Sequence, residues 1–158
     1  MDKKLLEQQI ATMKESLFNE EILNDMFTTV EETEDADNPN FIVTIANLYL
    51  SETPKNIDAL EQTLEANPFD FLNLERCLVK LRGSSVSFGA NKVTNEVDKI
   101  LYGCTIGDAE GCKAGFPNLK QEFDTLKKNL EPYLELLQQY KSSTPSSGPN
   151  EDMVDKNK

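Results

Sequence analysis

The chain contains no histidine and no tryptophan. The missing histidine matters most. It removes the commonest general base, the usual partner of a nucleophilic serine or cysteine, and the commonest metal-ligating side chain. Cysteine is scarce too: Cys77, Cys104 and Cys112 are the only three. An odd number without zinc-type spacing argues against a disulfide framework and a zinc site, and points to the reduced thiols of a cytosolic protein. Seven glycines and seven prolines in 158 residues are too few for a loop-rich β protein. No apolar run approaches the ~20 residues of a membrane span. The opening "MDKKLLEQQI" lacks the apolar stretch of a signal peptide. Basic residues are outnumbered 16 to 28, a formal net charge of −12. Such a surface repels nucleic acid and anionic membranes, so neither is expected as a partner. What remains, 38% hydrophobic and 28% charged, is the composition of one globular domain whose partners are other proteins.

The periodicity is helical throughout, with no internal repeat and no strand-like alternation. Leu5, Leu6, Ile10, Met13, Leu17 and Phe18 predict a helix over residues 2–18, and Ile22, Leu23, Met26, Phe27 and Val30 a shorter one over 20–31. "EETEDADNPN" reads as an acidic loop that ends with Asn38 as N-cap and Pro39 as first helical residue. From there Phe41, Ile42, Ile45, Leu48 and Tyr49 make a stripe that Pro54 interrupts, either by a kink or because Thr53 caps a fresh helix. Ile57, Leu60 and Leu64 continue the stripe, and Asp70 caps the next helix. Val93, Val97, Ile100 and Leu101 predict a helix over 91–102. "GCTIGDAEGCKAG" reads as a loop. A long last helix carries Phe116, Leu119, Phe123, Leu126, Leu130, Tyr133, Leu134 and Leu137, with Pro132 as a place for a bend. The expected fold is all-α: a four-helix bundle with extra N-terminal helices over residues 1–141, and a disordered polar tail over 142–158.

One stretch needs explanation. "VKLRGSSVSFGA", residues 79–90, places Gly83, Ser84, Ser85 and Ser87 inside a helix. Glycine there costs ~1 kcal/mol relative to alanine, and serine is also unfavourable. Yet Phe71, Leu74, Leu78, Leu81, Ser85 and Phe88 follow a 3, 4, 3, 4, 3 spacing straight through it, so the helix continues. At about 100° per residue Val79 lies roughly 135° from the centre of that stripe. Val79 and Gly83 then share the outer face, one turn apart, flanked by Arg76 and Arg82. Either a partner protein approaches the bare backbone there, or a neighbouring helix of the same chain packs against it. Ser84 and Ser85, near the stripe, are expected to face inward.

These residues resemble the signature of plant histidine-containing phosphotransfer proteins, in which His-Gln-Leu-Lys-Gly-Ser-Ser is followed by Gly-Ala. The resemblance spans residues 1 to about 140 and takes in "SLFNEEILNDMF", "DNPNF", the "DF" before the signature helix and "EGC" before the last helix. It implies a four-helix bundle whose exposed histidine takes a phosphoryl group from a receiver-domain aspartate and passes it to another. By that resemblance Gly83 leaves room for the receiver and Arg82 keeps the basic role. Lys80 replaces the family's glutamine, and Val79 occupies the phosphoacceptor position. Arg76, Lys80 and Arg82 then form a local basic patch. The resemblance also implies an apolar docking patch on the second and third helices, around Ile22 to Met26.

Valine has only methyl groups, whereas phosphoryl transfer to histidine needs a ring-nitrogen lone pair. Cys77 lies on a different side of the helix, and Ser84 and Ser85 lack a base. The chain thus resembles a pseudo-phosphotransfer protein, a class that in plants dampens cytokinin signalling. The expectation is a monomeric, non-enzymatic module of cytoplasm and nucleus with no cofactor or metal. It would bind receiver domains of sensor histidine kinases and response regulators through Val79, Lys80, Arg82, Gly83 and Arg76, without catalytic residues. The alternatives are a relay mediator with an unusual acceptor and a scaffold with no receiver contact.

Overall fold

Side-chain caps set where several helices begin. The structure, a computed structural model, describes residues 2–143. Among them are six helices and no strand: α1 (Lys3–Asn19), α2 (Asp25–Glu32), α3 (Phe41–Leu64), α4 (Phe71–Phe88), α5 (Asn91–Thr105) and α6 (Ala109–Ser143). Asp2 accepts from the Leu5 backbone N–H at 3.2 Å, Asn24 from Met26 at 3.0 Å, and Asp70 from Asn73 at 3.1 Å. Each bond satisfies a donor that the first helical turn leaves without a partner.

Helices α3 to α6 form the bundle, each packing on the next and α6 closing the ring against α3. Helix α1 lies on α6, and α2 fills the end between α3 and α4. The centre is aromatic. Phe88 stacks on Tyr49 at 4.7 Å between ring centroids and meets Phe27 edge-on at 5.4 Å. The N-terminal helices are tied in by charge: Glu31 of α2 takes the Tyr133 hydroxyl of α6 at 2.9 Å and the Lys14 ammonium of α1 at 2.6 Å.

Three expected boundaries move. Helix α3 starts at Phe41 and not at Pro39, because its first turn is capped from a distance: Glu34 Oε1 accepts from Ile42 N–H at 2.9 Å. Pro54 neither stops α3 nor lets Thr53 cap a new helix. Leu50, Thr53 and Ile57 are all buried on one continuous face, and that packing outweighs the hydrogen bond proline cannot make. The glycine-rich segment 103–115 is almost entirely helical, with only residues 106–108 between α5 and α6. A Cβ at Gly103 would stand 3.0 Å from Cys112 Sγ, and one at Gly115 2.8 Å from Ile100 Cγ1. Those glycines serve close helix–helix approach and not a loop. Asp108 caps α6, accepting from Gly111 N–H at 2.9 Å. At the other end α6 reaches Ser143. The rest of the tail expected from Ser142 lies outside the described residues.

Candidate functional site

Helix α4 is amphipathic in the way its stripe foretold. Leu74, Leu78, Leu81, Ser85 and Phe88 are buried and Phe71 is half-buried. Ser85 is a core residue with a partner: its Oγ lies 2.7 Å from the Tyr49 hydroxyl of α3. Ser84 differs from expectation. It is exposed, and its hydroxyl donates to the Leu81 carbonyl at 3.1 Å, turned back on its own helix.

Gly89 ends α4 in the left-handed region, φ 88°, which glycine adopts without strain. A Cβ there would collide with the Phe27 backbone nitrogen. This close approach lets the Asn24 N–H donate to the Gly89 carbonyl at 3.0 Å and the Asn91 N–H to the Ile22 carbonyl at 3.0 Å. The α1–α2 connection is thereby clamped against the α4–α5 turn. Ile22 and Leu23 are buried beneath the clamp, 4% and 2% exposed. They are core and not the apolar docking patch expected around Ile22 to Met26; Met26 is the one apolar side chain of that stretch that is exposed.

The outer face of α4 is open. Val79 is 55% exposed, and nothing lies within 4 Å of a Cβ built on Gly83. No described helix packs against that glycine, so helix–helix packing within the described residues does not explain it. Arg76, Lys80 and Arg82 are all exposed. Arg76 and Lys80 make no ion pair among the described residues. Arg82 does: its Nε donates to Asp98 Oδ1 of α5 at 2.6 Å.

Beside this face runs a groove of about 350 Å³ between α3 and α4. Leu48 and Glu52 of α3 and Lys80 and Ser84 of α4 form its walls, and Tyr49 and Phe88 also line it. Leu48 is 55% exposed. Its place in the α3 stripe predicted a core residue, and no sequence signal marks it otherwise. A larger cleft of about 700 Å³ lies along α6 near Asp124 and Lys128, and no residue of α4 lines it.

Among the described residues the cysteines offer no surrogate nucleophile beside Val79. Cys77 is half-buried, its Sγ 3.6 Å from Thr63 Oγ1. Cys104 and Cys112 are free thiols 3.9 Å apart between α5 and α6. Burial pushes the Cys104 thiol up to about 12, with Cys112 adding to the effect, and burial raises Cys112 as well. Both are held as thiols, the unreactive form. No group of three or more histidine, cysteine, aspartate or glutamate side chains among the described residues is placed to hold a metal ion.

No protein-family model matches the chain. Individual relatives do. It is 34% identical over 134 residues to pseudo histidine-containing phosphotransfer protein 2 of Oryza sativa subsp. japonica, covering 85% of this chain and 89% of that protein. It is 39% identical over 116 residues to histidine-containing phosphotransfer protein 4 of Arabidopsis thaliana, covering 73% of this chain and 91% of the relative. The chain belongs to the histidine-containing phosphotransfer family. With no histidine in 158 residues it is a pseudo member. Solved phosphotransfer proteins share the fold. MtHPt2 of Medicago truncatula superposes with a TM-score of 0.80 at 25% identity, over 87% of this chain and 94% of that one. ZmHP2 of maize does so at 0.79 and 25% identity, over 85% and 98%. In this pseudo-phosphotransfer protein no described helix is long and apolar enough to cross a membrane.

Proposed function

We propose that this pseudo-phosphotransfer protein binds receiver domains of sensor histidine kinases and response regulators through the outer face of α4 and relays no phosphate. Val79 stands where the family carries its phosphoacceptor histidine. Gly83 leaves the backbone bare for receiver loops. Arg76 and Lys80, with Arg82 at the edge, face the receiver's acidic pocket, and the groove below Leu48 takes its apolar contacts. The observation that carries the reading is the open space over Gly83 beside an exposed Val79. A glycine that costs helix stability and admits no described helix leaves room for a partner.

Occupied receivers are withheld from the relay by mass action, in proportion to concentration over dissociation constant. The output is negative regulation of a cytokinin relay, by a monomer of cytoplasm and nucleus that acts as no enzyme. The net charge of −12 gives no overall attraction to an acidic pocket, so affinity rests on the local cations and apolar groove. Titration of isolated receiver domains into the full chain tests this. Saturable one-to-one binding that Gly83→Gln weakens is the expected result; no binding to any receiver, or binding indifferent to Gly83, contradicts it.

A further inference from the structure

Three cations flank Val79, and among the described residues only Arg82 is engaged in an ion pair. Arg82 Nε lies 2.6 Å from Asp98 Oδ1, with the two side chains 48% and 44% exposed. Arg82 is three residues after Val79, so the two side chains are neighbours on the helix surface, with Arg82 on the side facing α5. We infer that Asp98 is a positioning residue that competes, from within the chain, for the cation an acidic receiver pocket would engage. The inference rests on the receiver-docking reading above and adds a control on its strength.

The chemistry is an exchange of ligands. A guanidinium held by one carboxylate can pass to another without loss in the number of ion pairs. The pair here is a single Nε–Oδ1 contact at the surface and not a two-pronged fork, so it holds weakly and reversibly. The exchange is still unfavourable in its wider setting. An acidic pocket that takes Arg82 leaves the Asp98 carboxylate unpaired beside it. Asp98 thus acts through Arg82, by holding the guanidinium along α5 and away from an acidic surface that docks there. The neighbouring charges do not relieve it, since Lys99 is paired with Glu96 at 3.0 Å.

Removing the charge at position 98 therefore frees Arg82 for a partner. The test compares wild type, Asp98→Asn, Asp98→Ser, Asp98→Glu, Arg82→Gln and the double variant Asp98→Asn/Arg82→Gln, each titrated with one isolated receiver domain. Asp98→Asn and Asp98→Ser are expected to tighten binding about threefold to tenfold at ~50 mM salt, with the gain shrinking at ~500 mM, where screening is stronger and charges reach less far. Asp98→Glu restores wild-type affinity. In the Arg82→Gln background the gain from Asp98→Asn mostly disappears, because Asp98 acts through Arg82. Unchanged or weaker binding by both charge-removing variants overturns the inference. So does an equal gain with Arg82 absent, which would make Asp98 a general negative charge and nothing more. If wild type binds no receiver at any salt, the docking reading itself fails and takes the inference with it.

Discussion

The Tyr49 hydroxyl lies 2.7 Å from Ser85 Oγ, joining α3 to α4 directly beneath the face that carries Val79 and Gly83. Both side chains are buried, so each hydroxyl depends on the other for much of what water would supply. Ser85→Ala is expected to cost about 1 kcal/mol in urea unfolding, reduced by alanine's better helix propensity. Tyr49→Phe with Ser85→Ala should recover part of that loss, because no polar group is then orphaned. Additive losses in the two single variants would contradict the pairing.

Alkaline pH should destabilise the fold through the same tyrosine. Burial pushes the Tyr49 phenol up from 10.0 to about 12, against a smaller lowering by the Ser85 and Thr53 hydroxyls. Between those values the unfolded chain loses the proton and the folded chain keeps it. The contribution is whole below the unfolded value and is lost as pH rises through the folded one. The loss should reach about 2–3 kcal/mol. Tyr133, raised by burial and by Glu31, adds to the same trend. Urea midpoints should hold up to about pH 10 and fall above it, less steeply in Tyr49→Phe.

The α4 stripe was legible because six positions obeyed one period, and Asp70 marked its start. What stayed hidden had physical causes. Gly103 and Gly115 looked like loop residues because composition does not separate a glycine that turns the chain from one that lets a helix in close. Glu34 capped α3 from eight residues before Ile42, beyond any local capping pattern. Leu48 kept its place in an apolar stripe and still reached solvent, on the wall of the groove between α3 and α4. Ile22 looked available for docking until the backbone clamp to Asn91 put it in the core. The pairing of Arg82 with Asp98 joins two helices, which no single-helix pattern reveals.

Gly83→Gln separates docking from structure in one variant. The site is open, so glutamine should stabilise the helix by ~0.5 kcal/mol and raise the melting temperature slightly. It should weaken receiver binding by at least about tenfold, or ~1.4 kcal/mol, by filling the approach. A lowered melting temperature or unchanged affinity would contradict the account.

Val79→His should restore at least partial phosphoryl acceptance. The residue is 55% exposed, so little packing is lost, and the propensity change is well under ~1 kcal/mol. Acid-labile, base-stable label on the variant after incubation with a phosphorylated receiver is the expected result. A folded variant that binds the receiver yet takes no label would show that Lys80 or the groove also obstructs transfer.

The most direct test of the central claim is to mix wild-type protein with a radiolabelled phosphorylated receiver, isolate the complex by gel filtration, and find where the label resides. Binding without relay predicts a complex whose label stays entirely on the receiver, since no histidine exists in the chain to take it. Stoichiometric label on the chain, or no complex at all, would contradict it.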